Sequence, residues 1–253
     1  MINKLVNRPR YLDWLKSWRD KNIIKVVAGV RRCGKSTLFK LYIDSLIDGG
    51  VTPEQIISVN LEELEHEDLL NYRSLYEYIT ERLHPNGYTY VFIDEIQNCK
   101  DYEKAVDSLV IKNNIDVYIT GSNAWLLSGE LATLLSGRYV KIDMLPLSFG
   151  EYMSGVDIMS NDENVTGGGH DASGSYVFDG GHDASGSNVF GGGHSASGSY
   201  FSGGGHDING RKTIDFASYL RYGAFPAILQ LGNNDALINS YLDGVYNSIS
   251  AFA

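Results

Sequence analysis

A three-layer α/β/α fold built on a parallel sheet is what this sequence predicts, and two patterns predict it. Five β-rich runs, most of them almost continuously apolar, alternate with helix-length amphipathic stretches. The first run passes directly into a glycine-bearing loop that opens a helix. Continuous apolar runs are how strands covered on both faces read, and strand–helix alternation implies parallel strands joined by right-handed crossovers.

The elements follow in order. An opening helix is expected over 9–20, where Tyr11, Leu15 and Trp18 recur at helical spacing and read as core packing. Strands are expected at 23–29 ("IIKVVAG"), 56–61 ("IISVNL"), 88–96 ("YTYVFIDEI"), 117–122 ("VYITGS") and 139–145 ("YVKIDML"). Helices are expected at 35–48, about 70–83, 101–112 and 125–136. This core takes in 1–153.

After "LPLSFGEYM" the composition changes. From Gly167 the chain repeats every twelve residues, so that His170, His182, His194 and His206 are evenly spaced. The segment 154–210 reads first as a flexible Gly/Ser-rich insertion, because one aromatic or Val/Phe pair per unit offers little burial against the entropy of ordering so many glycines. A small β-ribbon and metal binding through the four histidines are the other two readings. Residues 211–253 read as two amphipathic helices parted near "YGAFP" and "GNND", with an apolar-periodic segment running up to Ala253. That pattern is expected of a helical domain begun and left incomplete.

Composition restricts the partners. The 253 residues carry 21 Lys plus Arg against 31 Asp plus Glu, a formal balance of −10. Such a field repels nucleic acid and anionic membranes unless a basic patch opposes it, and no Lys/Arg-rich run is present. No segment has the ~18 uninterrupted apolar residues of a membrane span, and "MINKLVNRPRYLDW" does not read as a leader. A cytoplasmic location is therefore expected. Cys33 and Cys99 give no disulfide framework or metal spacing and read as reduced thiols.

Chemistry concentrates in four places. In "GVRRCGKST", Gly29, Gly34, Lys35 and Ser36 fit GxxxxGK[ST], with Thr37 following and Val30, Arg31, Arg32 and Cys33 completing the loop. Glycine allows backbone amides to converge on phosphates, the helix presents its N-terminus to negative charge, Lys35 reaches the β/γ oxygens and Ser36 coordinates Mg²⁺. ATP and Mg²⁺ are thus the expected ligands. Arg31 and Arg32 face either phosphates or a partner's acids, and Cys33 reads as a small loop residue. In "YVFIDEIQ", Asp94 is placed to order the Mg²⁺ shell and Glu95 to polarise the attacking water. A Glu beside the metal-ordering Asp favours hydrolysis over phosphate transfer to a small molecule. In "VYITGSNAW", Asn123 reads as a γ-phosphate sensor and Ser122 as either a sensor or a helix N-cap. In "LLSGRYVKI", Arg138 reads as an arginine supplied in trans to a neighbouring copy's phosphates, against satisfying helix C-terminal carbonyls.

"GVRRCGKST", "FIDEIQN", "TGSNAWLLSGELATLLSGRYVKIDMLPLSFGEY" and "YLRYGAFPAIL" together resemble the bacterial and archaeal AAA-type ATPases whose AAA core precedes a C-terminal domain of unknown function. The resemblance covers 1–153 and resumes near 210. It implies an additional-strand, catalytic-Glu type of ATPase core and assigns to Lys35, Ser36, Asp94, Glu95, Asn123 and Arg138 the roles given above. It also implies a homo-oligomer. A nucleotide-gated switch or scaffold with little hydrolysis is the alternative function.

Overall fold

The structure, a computed structural model, describes residues 5–122, 135, 137–160, 219–220, 223–231 and 234–250. The expected helix at 125–136 (apart from Leu135 at its end), the histidine repeat and Asn123 lie outside the described residues.

Helix α1 (Pro9–Ser17) begins on a proline, whose missing N–H costs nothing in a first turn. It is shorter than the sequence suggests. Asp20 takes a left-handed conformation (φ 58°) that turns the chain toward the sheet, so Trp18 falls beyond the helix, half-buried, while Leu12 joins Tyr11 and Leu15 in the core. Strand β1 (Ile24–Gly29) then leads through the loop into α2 (Lys35–Asp48). Next come β2 (Ile56–Asn60), α3 (Tyr72–Thr80), β3 (Thr89–Asp94), α4 (Tyr102–Val110), β4 (Ile115–Ser122) and β5 (Tyr139–Met144). Asn71 starts α3 by accepting the Arg73 amide at 2.9 Å.

The five strands form one parallel sheet in the order β2-β3-β4-β1-β5. β4 is therefore inserted between the strand that feeds the loop and the strand that carries the acids. Every residue of the inner strands β1 and β3 is buried, whereas edge strands β2 and β5 are covered only in part. The period of two sorts side chains into two layers. Val26, Ala28, Val91, Ile93, Val117 and Ile119 face α3 and α4. Val27, Tyr90, Phe92 and Tyr118 face α1 and α2, where Phe92 stacks on Tyr118 at 4.7 Å between ring centroids.

Two charges interrupt these apolar runs. Lys25 and Asp116, both fully buried, pair near the N-terminal ends of β1 and β4, and Asp116 also accepts the Tyr118 hydroxyl (2.7 Å) and the Asp20 amide (2.9 Å). Burial lowers the Lys25 pKa and raises that of Asp116, and their mutual attraction opposes both shifts. The pair anchors the turn after α1 at the end of the sheet away from the loop.

Beyond β5, α5 (Phe149–Ser160) continues through 153, so the boundary drawn there falls inside a helix. Helices α6 (Pro226–Leu231) and α7 (Asp235–Ser250) lie in the C-terminal segment. The chain just ahead of α6 returns to the core: the Leu147 amide bonds the Ala224 carbonyl at 2.6 Å, and the Tyr219 hydroxyl bonds the Leu147 carbonyl at 2.9 Å. Among the described residues no helix is long and apolar enough to cross a membrane.

Candidate active site

The loop takes its shape from both its glycines, for different reasons. A Cβ on Gly29 would lie 2.6 Å from the Met144 carbonyl oxygen and 2.7 Å from Cys33 Sγ, so close approach of β5 and of the loop's own thiol requires glycine. Gly34 has φ +102°, which side chains rarely adopt, and it starts α2. The first amides of α2 have no acceptor within the helix and are oriented toward the loop by helix geometry.

Lys35 is buried at the centre. Its Nζ donates to the carbonyls of Gly29 (3.2 Å) and Val30 (3.4 Å) and pairs with Glu95 Oε1 at 3.2 Å. Ser36 and Thr37 stand on the first turn of α2, and the Ser36 side chain hydrogen-bonds the Asp94 carboxylate. Asp94 also accepts a bond from the Thr120 hydroxyl, which in turn accepts the Glu95 amide at 3.0 Å. Burial pushes the Asp94 carboxyl above its ordinary pKa; the Ser36 and Thr120 bonds act in the opposite direction, and the Glu95 charge reinforces the rise. A divalent cation seated there would reverse the shift. A hydroxyl and a carboxylate side by side are an oxygen donor pair suited to Mg²⁺, and a buried ammonium ringed by carbonyls is suited to a phosphate chain.

Thr120 carries a role that sequence reading missed. Pairing of Ile93 with Ile119 across β3 and β4 places Thr120 beside Asp94, and its single hydroxyl links the Asp94 carboxylate to the Glu95 backbone amide. The one signal was a polar residue inside an apolar strand. Glu95 itself has φ 52°, a left-handed conformation unusual for a residue with a side chain, which that amide bond helps hold.

Arg8 is the second residue missed. Its guanidinium, 5% exposed, donates to the carbonyls of Cys33 (3.1 Å), Leu145 (2.9 Å) and Pro146 (3.2 Å) and to both carboxylate oxygens of Glu151 (2.9 and 3.1 Å). Burial opposes ionisation of Glu151, yet the bonds from Arg8 and Ser148 leave its pKa below the ordinary value. One arginine thus fastens the phosphate loop to the chain after β5 and to α5.

The remaining residues divide. Ser122 pairs with Gly29 in register and sits at the same end of the sheet. Arg31 extends to Glu62 on the surface (2.6 Å), and Arg32, at φ 65°, lies 5.3 Å from the ring centroid of Tyr241 on α7. Cys33 is fully buried beneath the loop, and burial raises its thiol pKa, the reverse of what a reactive cysteine needs. Arg138 is not part of the cluster. It is exposed just before Tyr139, which pairs with Ile24 at the opposite end of β1, roughly 16 Å from Gly29 at about 3.3 Å per residue.

A parallel sheet whose first strand feeds a phosphate-binding loop, with an inserted strand between it and the acid-bearing strand, defines the P-loop ATPase fold. The family model described as an AAA domain matches residues 21–153, and the chain belongs to that family. An uncharacterized protein of Haemophilus influenzae is 42% identical over 162 residues, which is 63% of this chain and 40% of that protein. An uncharacterized protein of Methanocaldococcus jannaschii is 35% identical over 137 residues, 52% of this chain and 28% of that protein. The chain thus covers less than half of either relative. Among solved structures, the Walker-type ATPase of Pyrococcus abyssi aligns with a TM-score of 0.45 at 17% identity, covering 63% of this chain and 58% of that one. The Aeropyrum pernix ORC1 protein in complex with DNA aligns with a TM-score of 0.48 at 14% identity, over 63% and 50%.

Proposed function

We propose that this chain binds ATP with Mg²⁺ and hydrolyses it. The observation that carries this reading is the convergence of Lys35, Ser36, Asp94 and Glu95 at one end of the sheet, with Thr120 bonded to the Asp94 carboxylate and to the Glu95 backbone amide. Loop residues 29–37 surround the phosphates, and Lys35 exchanges its Glu95 contact for phosphate oxygen. Ser36 and Asp94 hold Mg²⁺, which supplies charge neutralisation across the phosphate chain. Glu95, released from Lys35, takes a proton from water as the oxygen–γ-phosphorus bond forms and the bond from phosphorus to the β–γ bridging oxygen breaks, giving ADP and phosphate. Asn123 follows Ser122 directly and is assigned the sensor role; Arg138 is assigned to a neighbouring copy's site.

Glu95→Gln is expected to lower phosphate release roughly 10²- to 10⁴-fold while ATP still binds. Phosphate release at the wild-type rate from that variant would remove Glu95 from the mechanism.

A second reading is a nucleotide-gated switch, and one observation favours it. The C-terminal helices reach the loop: Arg32 lies against Tyr241, and a Cβ on Gly34 would meet Pro226 Cγ at 3.6 Å. Phosphate binding that moves Arg32 would therefore be felt by α7.

A further inference from the structure

Glu95 uses both of its carboxylate oxygens. Oε1 pairs with Lys35 at 3.2 Å, and Oε2 accepts Nε2 of Gln97 at 2.5 Å. Gln97 lies in the short 3-10 turn Ile96–Asn98 that directly follows Glu95, and the Asn98 amide closes that turn on the Glu95 carbonyl at 3.1 Å. The other amide atom, Gln97 Oε1, is shielded from solvent and has no hydrogen-bond partner among the described residues.

We propose that Gln97 is the positioning residue for the Glu95 carboxylate in ATP hydrolysis. The inference rests on the hydrolytic reading of this site. Lys35 and Gln97 hold the same group by different forces. The lysine contact is ionic, and it is the contact that a phosphate chain displaces, because Lys35 Nζ is the cation aimed into the loop. Once it is lost, Oε1 has no partner, and an unrestrained glutamate would sample several rotamers. The Gln97 bond to Oε2 survives this exchange and keeps Oε1 directed where Lys35 had been. A neutral amide is well matched to this, because it orients the carboxylate without adding a second positive charge that would weaken it as a base. The partnerless Gln97 Oε1 is a buried acceptor awaiting a donor, and the donor that hydrolysis brings to this place is the water whose first proton goes to Glu95. Gln97 belongs to the "FIDEIQN" stretch, where sequence reading assigned roles to Asp94 and Glu95 and gave none to the glutamine.

The test uses the full chain with Mg-ATP and compares steady-state phosphate release with equilibrium binding of a slowly hydrolysed ATP analogue. Gln97→Met keeps the length and removes both hydrogen-bonding atoms; Gln97→Asn keeps the amide and shortens the reach. Both are expected to lower kcat about 10- to 100-fold with analogue Kd within twofold of wild type. In the double variant with Glu95→Gln, Gln97→Met is expected to add no further loss, because a residue that acts through Glu95 has nothing left to orient. A purely structural glutamine would instead lower binding and kcat together and would add its loss to that of Glu95→Gln. Wild-type kcat in Gln97→Met, or additive losses in the double variant, overturns the proposal alone. Absence of turnover in the wild-type chain overturns the hydrolytic reading, and this role with it.

Discussion

Gly29 and Gly34 are interchangeable in the loop motif but not in the molecule. At Gly34 the backbone conformation demands glycine, with φ +102° and no atom nearer than 3.6 Å to an added Cβ. At Gly29 the limit is space, because the Met144 carbonyl is backbone and cannot swing away. Gly29→Ala must therefore shift β5 or the loop, at a cost of about 1–3 kcal/mol. Urea unfolding is expected to show a lowered midpoint with unchanged slope, and ATP-analogue titration is expected to show weaker binding, since the displaced segment is the loop itself. An unchanged midpoint would mean that β5 accommodates the methyl without strain. Thr120 illustrates the same scale from the other side: one hydroxyl fixes the relative placement of two acids that sequence spacing can only put next to each other.

Elements divide the work between sheet and clamp. Strand order places the loop after β1, Asp94 and Glu95 at the end of β3 and Thr120 on β4 between them, so the constellation follows from topology. The strands and the motifs at the ends of β1, β3 and β4 were legible from sequence, because most of the strands are nearly continuous apolar runs; the strand order and the part played by Thr120 were not, because which strands are neighbours leaves no mark within a single run. Arg8 was not legible. It acts through backbone carbonyls of Cys33, Leu145 and Pro146, and a carbonyl leaves no trace in residue identity. Lys25 and Asp116 were hidden for a related reason: each is a single charge within an apolar run, and their pairing depends on which strands are neighbours. The extent of α1 was misjudged because spacing cannot register that Asp20 turns left-handed.

The clamp is open to test at this scale. Arg8→Met leaves Glu151 partly buried without its cation and three carbonyls without a donor, a loss of about 3–5 kcal/mol when one partner of a buried pair is removed. Glu151→Gln removes the negative charge and one of the two acceptor oxygens but leaves the Cys33 contact in place. Arg8→Met is expected to reduce both stability and analogue affinity, whereas Glu151→Gln is expected to reduce stability with affinity nearly intact. Urea unfolding paired with nucleotide titration separates the two effects. Equal losses of affinity in both variants would show that α5, and not the Cys33 carbonyl, controls the loop.

At the scale of the whole molecule, the arginines decide whether one chain suffices. Arg31 and Arg32 are in the loop but engaged elsewhere, with Glu62 and Tyr241. Arg8 is consumed by its five acceptors near the loop's Cys33. Arg138 is exposed at the opposite end of β1 and β5, a distance no side chain spans, so it has no route to its own Lys35 and Glu95. An arginine that stabilises charge on the transferring phosphoryl group contributes roughly 10³- to 10⁵-fold in rate, so a site completed by a neighbour turns over slowly when dilute. Specific activity is accordingly expected to rise with protein concentration. Arg138→Ala should abolish that rise without changing analogue affinity, and mixing it with Glu95→Gln should restore turnover, because the Arg138→Ala copy keeps an intact Glu95 and borrows an arginine from its partner. A switch behaves differently: binding stays tight, turnover stays negligible at every concentration, and the mixture recovers nothing. Activity that is appreciable but independent of concentration would place the whole reaction within a single chain and return Arg138 to a local role beside Leu135, whose carbonyl already accepts the Arg138 amide at 2.8 Å.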